Sequence, residues 1–445
     1  MKRSLAIAVM LIVCLPLAAL SRTAPDNKTS SGIVMPRADH HAHLLSPAGA
    51  KLVNDPPLPA VELPEGLARL LRAREKGWND KSALAPLFTE DSLVFDRREP
   101  VWIRGRDEVA TYLSENFGKP HGITPIAYGV EGATGYIAGY FTRPLEDGSI
   151  RYFGQVLMTL KKGADGAWRI AAESPTFPGP RVREVITAEK LIAQLDEAGI
   201  QRAAVLSTAY WFGSPIMRKA EGDEYANVRA ENDWVVQQVG RFPGRLAAFC
   251  SFNPLKDYAL QEIDRCAKLP HVKGLKLHVG NSRVDLLNPE HVEKLRRVFA
   301  AANERRLAIV IHLWTQPYGR EHAEAFLNKV LPAAPGIPVQ IAHFAGGGPG
   351  YTDEALAVYA DAITAGDPRT KNLYFDFATV ADEQTVEVLQ TFARRIRQVG
   401  LQRVFYGTDM GPPAARQSWM TFRTTVPLTD DEFRTIAGNV APYFR

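Results

Sequence analysis

Five short apolar runs in this chain each end in a residue that can ligate a metal or move a proton. His41 and His43 lie in ADHHAHL, Lys276 and His278 in GLKLH, His312 in AIVIHLW, His343 in VQIAHFAGG and Asp409 in VFYGTDMG. Strands buried on both faces read as continuous apolar runs. An ionisable group closing such a run is costly unless it has a partner or a task. One of these side chains can be a satisfied core residue. The ordered set of a His-x-His pair, a Lys, two further His and an Asp needs many parallel strands that end on one side. That is the mouth of a β/α barrel, where active sites gather.

The chain beyond Val182 supports this reading. Apolar runs at Arg202–Ser207, Leu246–Phe252, Val272–His278, Leu307–His312, Val339–His343, Leu373–Ala378 and Arg403–Thr408 alternate with helical patterns. Asn288-Pro289 is a helix cap followed by a Pro at the first helical position, and Val292, Leu295, Phe299 and Ala302 follow at helical spacing. Thr429-x-x-Glu432 is a capping box. With the strand ending at His43 there are eight βα units, so the expected fold is α/β, a (β/α)₈ TIM barrel.

The count is interrupted after the first strand. A Pro-rich linker, Asn54 to Pro64, leads into a segment that does not alternate in the βα manner. It reads as a helix at Leu67–Lys76 and then strands at Gly135–Thr142, Ile150–Lys161 and Trp168–Glu173, with hairpin turns at Asp147-Gly148 and Asp165-Gly166. Helices first and an antiparallel sheet after predict an inserted α+β domain. The expected organisation is a signal peptide over 1–21, a flexible leader over 22–32, the first barrel strand and linker over 33–61, the insert over 62–178 and the rest of the barrel over 179–445. A length of 445 residues agrees with two to three domains.

Charge and composition exclude some functions. Hydrophobic residues make up 46% and charged residues 23% of the chain, and the net charge is +4. Lys2 and Arg3 supply two of those positives, leaving 4 − 2 = +2 without them. No nucleic-acid or membrane-surface partner is expected. The basic start, the apolar stretch Leu5 to Leu20 and the small-residue site Ala19-Leu20-Ser21 read as an export signal, with Pro16 and the short length arguing against a membrane span. The protein is expected to be periplasmic or secreted. Cys14 is a weak lipoprotein signal because the bulky Val13 precedes it. Cys250 and Cys266 are too few for a disulfide framework and read as two buried thiols, with a single disulfide as the alternative.

Residues two apart on a strand share a face, so His41 and His43 point together into the barrel mouth. Asp39 shares that face and His40 points away. Neutral imidazoles suit a Zn²⁺-type ion. Asp409 is read as a carboxylate that contacts the metal and takes a proton. Lys276 and His278 have the same parity and should both face inward. Gly346-Gly347-Gly348-Pro349 lacks the Lys-Ser/Thr of a phosphate loop and reads as a close turn near the substrate. Trp314, Tyr318, Arg320 and Tyr351 follow ligand positions and are candidate pocket residues, with Trp314 and Tyr351 assigned to substrate. In the insert, Asp96, Glu131 and His121 read as surface or turn residues.

Two resemblances follow from these motifs. ALAPLFTEDSLVF, GRDEVATYL and YFGQVLMTLKKGADGAWRI resemble the SnoaL-like, ketosteroid-isomerase-like superfamily. That resemblance implies a cone-shaped sheet around helices and no particular activity. The barrel, through AENDWVVQQVGRFPGRLAAFCSFNP, VKGLKLH, IAHFAGGGPGYTDEAL and LTDDEFRTIAGNVAPYF, resembles the amidohydrolase-related branch of the amidohydrolase superfamily. This implies one divalent ion, with zinc expected, held by His41, His43, His312 and Asp409, and a catalytic role for His343. It implies that Lys276 either orients a substrate, beside His278, or is carbamylated and bridges a second metal. The expected activity is hydrolysis of a lactone, ester or amide of a small organic substrate by metal-activated water, with Asp409 and His343 handling the proton. The alternative is non-oxidative decarboxylation at the same site. A third possibility is a catalytically dead exported binding protein. A homodimer is expected, and the insert is expected over the barrel mouth because it departs just after His43.

Overall fold

The computed structural model describes residues 33–96, 101–116, 122–144, 150–176, 183–314, 317–382, 384–409 and 415–444. The expected signal and leader over 1–32, His121 and the Asp147-Gly148 turn lie outside the described residues. Strand β1 (Ala38–Ala42) is buried along its whole length. A short helix, Pro47–Val53, follows it, capped by Ser46, whose Oγ accepts the Gly49 N–H at 2.8 Å.

The insert then begins with a helix at Glu65–Lys76. Leu67, Leu70, Leu71 and Arg74 recur at helical spacing on its buried face. Strands β2 (Phe88–Phe95), β3 (Trp102–Arg104), β4 (Gly122–Glu131), β5 (Thr134–Pro144), β6 (Ile150–Lys162) and β7 (Trp168–Thr176) follow, with a helix at Arg106–Asn116 between β3 and β4. They form one sheet in the order β3-β2-β7-β6-β5-β4. The expected hairpin between β6 and β7 turns at Asp165-Gly166, with Gly166 at φ +75° and its N–H on the Gly163 carbonyl.

Two corrections apply here. The sheet is mixed, because β2 pairs with β7 in parallel. Strands β2, β3 and β4 were also not expected. β2 carries a register irregularity between Phe88 and Leu93, and β4 one at Pro125, so neither shows clean alternation. The insert has its own apolar core, in which Leu67, Trp78, Leu113, Ile137, Phe141 and Met158 are buried.

The barrel strands follow: β8 (Arg202–Leu206), β9 (Leu246–Ser251), β10 (Val272–His278), β11 (Ala308–His312), β12 (Val339–Ile341), β13 (Leu373–Asp376) and β14 (Val404–Phe405). With β1 they make an eight-stranded sheet in the order β1-β8-β9-β10-β11-β12-β13-β14, parallel throughout. The ring closes where the chain after β14 meets β1: the His40 N–H donates to the Tyr406 carbonyl and the Thr408 N–H to the His41 carbonyl. Gly407 makes this approach possible, since a Cβ there would lie 2.6 Å from the His41 Cβ. The expected TIM barrel with an inserted α+β domain is the observed architecture.

The insertion leaves the barrel topology intact. Leu45 and Ile186 exchange both backbone hydrogen bonds, at 3.1 and 3.0 Å, so the chain returns to the point it left. Alternation along the strands sorts the side chains. Leu275, Leu277, Ile309 and Ile311 pack in the main core with the helices. Ala204, Leu206, Phe249 and Val310 pack with Ala441 and Tyr443 of the C-terminal segment. Lys276 and His278 share the parity of this second set, as expected. Both expected caps are present, at Asn288 and at Thr429 with Glu432. Among the described residues no helix is long and apolar enough to cross a membrane.

Candidate metal centre

The ends of β1 and of the segment after β14 bring His41, His43 and Asp409 together. Their ligand atoms all lie within 4.8 Å of one another. His41 Nε2 and His43 Nε2 are 3.3 Å apart, and Asp409 Oδ1 lies 3.4 Å from the first and 3.5 Å from the second.

The tautomers of the two imidazoles follow from their other nitrogens. His41 Nδ1 lies 3.1 Å from the Asp376 carboxylate, and His43 Nδ1 lies 2.6 Å from the Leu206 carbonyl oxygen. Both acceptors require a proton on Nδ1, so both Nε2 atoms present bare lone pairs. Two lone pairs at 3.3 Å cannot bond to each other, and a carboxylate completes the triangle. Burial holds the His41 and His43 pKa values down, so neutral rings are favoured. Burial alone would raise the Asp409 pKa. Its interactions with His343, His41, His43 and Lys276 outweigh this and hold the carboxyl below its ordinary range. Three donors with converging lone pairs fit a divalent cation.

The remaining predicted residues surround this group. Lys276 Nζ, fully buried, lies 3.1 Å from His41 Nε2. Burial lowers its pKa to about 8. His343 Nε2 lies 3.9 Å from Asp409 Oδ2, and its Nδ1 lies 2.8 Å from the Ala378 carbonyl oxygen, so its Nε2 is also bare. His312 pairs with His278 across β11 and β10, and their rings stack at 4.2 Å and 10°. His312 stands outside the His41–His43–Asp409 group. Its Nε2 is buried and has no hydrogen-bond partner among the described residues, and its ring lies 4.7 Å from that of His343.

His343 opens a left-handed turn. His343, Phe344, Ala345 and Gly346 have φ of +51°, +48°, +77° and +99°. Consecutive non-glycine residues in this region store strain, a feature found at functional sites. The Gly346 N–H closes the turn on the Ala342 carbonyl. A Cβ on Gly346 would meet the Trp314 Cβ at 2.5 Å. The glycine run is thus the expected close turn.

Two cavities open at the mouth. The inner one, about 420 Å³, is lined by His312, His343, Tyr351, Asp382, Gln384 and Asp409 among others. The outer one, about 750 Å³, is lined by His278 and residues after β10. Trp314 borders both, and Tyr351 is 69% exposed beside it, ring to ring at 6.1 Å. The described lining residues of both cavities come from the barrel, not from the insert.

Two sequence expectations, for Tyr318 and Arg320, are corrected. Tyr318 is buried, its hydroxyl bonded to that of Tyr359 at 2.8 Å, because its side chain packs inward beneath the helix that follows. Arg320 is exposed and pairs with Glu324. Asp39 lies outside the ligand group. It accepts the Thr408 hydroxyl at 2.6 Å and the His41 and Thr408 N–H groups, clamping β1 to the closing segment. Burial raises its pKa to about 6.

Asp376 was not anticipated. It ends β13 and is fully buried. Its two oxygens meet His41 Nδ1, the Gln340 amide at 2.7 Å and the His343 N–H at 3.1 Å. The signal was present: Asp376 closes an apolar run, as the other site residues do. In the insert, Arg74 and Glu173 form a fully buried two-point ion pair at 3.1 and 3.2 Å, also unanticipated. Asp96 is half-buried, accepting the Tyr112 hydroxyl, and Glu131 is exposed at a turn.

The comparisons with known proteins follow the same division. No curated protein sequence matches the chain. The apo structure of IDCase from Metarhizium anisopliae is 16% identical, with 59% of this chain and 80% of that chain covered and a TM-score of 0.43. The 5-carboxyvanillate decarboxylase LigW from Sphingomonas paucimobilis is 18% identical over 58% of this chain and 82% of that chain, with a TM-score of 0.42. A ketosteroid isomerase-like protein from Erwinia carotovora atroseptica is 19% identical over 25% of this chain and 88% of that chain, with a TM-score of 0.21. A sequence model of the amidohydrolase family matches residues 166–439, more than half of the chain and all of the barrel strands from β8 to β14. The chain belongs to the amidohydrolase family.

Proposed function

We propose that this protein is a metal-dependent hydrolase acting on a carbonyl-type bond of a small organic substrate. The observation that carries the reading is the triangle of His41 Nε2, His43 Nε2 and the ionised Asp409 carboxylate, with His343 Nε2 bare beside it. A divalent ion bound there supplies Lewis acidity and a lowered pKa for water. Zinc suits the nitrogen-rich donor set. His41, His43 and Asp409 would hold it, with the orphaned His312 Nε2 as the further donor. One ion is favoured over two. In the second cluster of donors, His41, His343 and Asp376, Asp376 is already engaged by the His41 ring, the His343 backbone N–H and the Gln340 amide.

The chain's own groups then divide the work. Asp409 rests ionised, so it can accept a proton at Oδ2 and return it to a leaving group. His343 Nε2 offers a second acceptor 3.9 Å away. Lys276, a buried ammonium, orients a carbonyl or carboxylate as a point charge.

Decarboxylation of a carboxylic acid at the same centre is the second reading. The similar structures just named include a 5-carboxyvanillate decarboxylase, and their likeness bears on the fold alone. What favours it within this chain is Lys276, whose ammonium would hold a carboxylate beside the metal. The deciding experiment is metal analysis of the purified protein, followed by panels of lactones, esters, amides and carboxylic acids. Hydrolysis without CO₂ release supports the first reading and CO₂ release the second. A protein that neither holds nor responds to a divalent ion refutes both.

A further inference from the structure

We propose that the outer cavity receives the part of the substrate remote from the reacting bond, and that Arg283 there selects molecules bearing an anionic group on an apolar body. The proposal rests on the reading above that the barrel mouth is the reaction centre. It adds a recognition element that the metal site does not need.

The cavity, about 750 Å³, is lined by His278, Trp314, Ile216, Val284, Leu287 and Arg283 among others. Ile216 and Leu287 are 50% and 44% exposed. Large exposed aliphatics facing one cavity suit an apolar ligand better than water. The volume is that of a small-molecule site rather than of a few waters.

Arg283 is placed by a tightly built loop. Its N–H donates to the Gly280 carbonyl at 3.1 Å, and the Val284 N–H donates to that of Val279 at 3.0 Å. Ser282 and Val284, on either side, are almost fully buried. Anchors on both sides leave Arg283 turned outward. Its φ of +52° is a left-handed conformation that an arginine adopts only when its surroundings impose it. Gly280 lets the loop press against the Trp314 segment, since a Cβ there would lie 2.7 Å from the Trp314 carbonyl oxygen. The loop and Trp314 therefore form one wall.

The backbone of Arg283 is held in place, and its exposed side chain is left unused. Arg283 makes no side-chain hydrogen bond or ion pair with any described residue. Two carboxylates share the cavity wall, Asp285 and Glu321. Asp285 accepts the Leu287 N–H at 2.8 Å, and Glu321 lies 3.9 Å from His322. The cavity as a whole therefore does not attract anions, and recognition has to be local to the planar guanidinium fork. That geometry matches a carboxylate at two points.

The test is calorimetric titration of the metal-loaded protein with 4-phenylbutyrate and with 4-phenylbutan-1-ol, which share an apolar body and differ in the charged end. The acid should bind roughly tenfold more tightly than the alcohol, the scale of one charge-assisted contact. Arg283→Gln should bring the two within about twofold, with the alcohol unaffected, and Arg283→Lys should keep part of the preference. An undiminished preference in Arg283→Gln would place the anion at the metal and overturn the proposal. So would equal binding of the two compounds, or binding of neither, by the unaltered protein. No arm involves turnover, so failure of the hydrolase reading is seen separately, in the substrate panels.

Discussion

Asp376 Oδ2 lies 3.1 Å from His41 Nδ1, and that contact decides which nitrogen of His41 is free to meet a metal. The same carboxylate takes the His343 N–H on its other oxygen. One side chain thereby orients a ligand and anchors a proposed base. Asp376→Asn should lower metal affinity about 10- to 100-fold while leaving the barrel folded. Competitive metal titration of the two proteins checks this, and unchanged affinity would remove Asp376 from the site.

Asp409→Asn keeps the shape of the side chain and removes its charge. Activity should fall by about 10²–10⁴, the range for loss of a positioned acid–base group. Metal content measured alongside separates loss of the ion from loss of proton transfer. Full activity in the metal-loaded variant would assign the proton to another group, His343 first.

Acid should destabilise the barrel from within. His40 points away from the metal group, stacked on Phe405, with Nδ1 at the Tyr406 carbonyl and Nε2 accepting the Ala441 N–H. Burial lowers its pKa from 6.5 to about 4. Between those values the unfolded chain binds a proton that the folded chain refuses, so stability falls as pH drops through this window and is fully present above 6.5. The effect for His40 alone is on the order of 3 kcal/mol. Urea unfolding at pH 7 and 4.5 should show a smaller pH difference for His40→Gln than for the unaltered protein.

Gly346→Ala should damage the site without touching a ligand. The added methyl would collide with Trp314 and must adopt φ +99°. A stability loss of about 1–3 kcal/mol is expected, with a larger fall in activity because His343 opens that turn and Trp314 packs against it. Thermal denaturation and turnover measured together test it. An active, fully stable variant would show that the turn can relax.

The insert should respond on its own terms. Arg74→Met leaves Glu173 buried without its partner and should destabilise by about 3–5 kcal/mol. Arg74→Met with Glu173→Leu should recover most of that loss, because two apolar groups replace two buried charges. Guanidinium titration of the single and double variants distinguishes this from an essential ion pair, for which the double variant would be no better than the single.

Much of the fold could be read from local pattern. Each barrel strand is a short apolar run between helical patterns, and Asn288 and Thr429 cap as their neighbours indicate. The insert was legible as α+β but not as a mixed sheet. The parallel pairing of β2 with β7 joins residues about 80 apart, and nothing near either strand encodes it.

Residue chemistry in the sequence nominated His41, His43, Lys276, His278, His312, His343 and Asp409, because an ionisable group at the end of a buried strand needs a reason to be there. Closure of the ring determined which of them converge. Asp409 reaches His41 only because the chain after β14 lies against β1, with Gly407 leaving room for it. Asp376 acquired its role in the same way, from 335 residues along the chain. A strand end shows in the sequence because it is local. The tautomer of an imidazole and the distance between two Nε2 atoms depend on contacts that exist only once the barrel is shut.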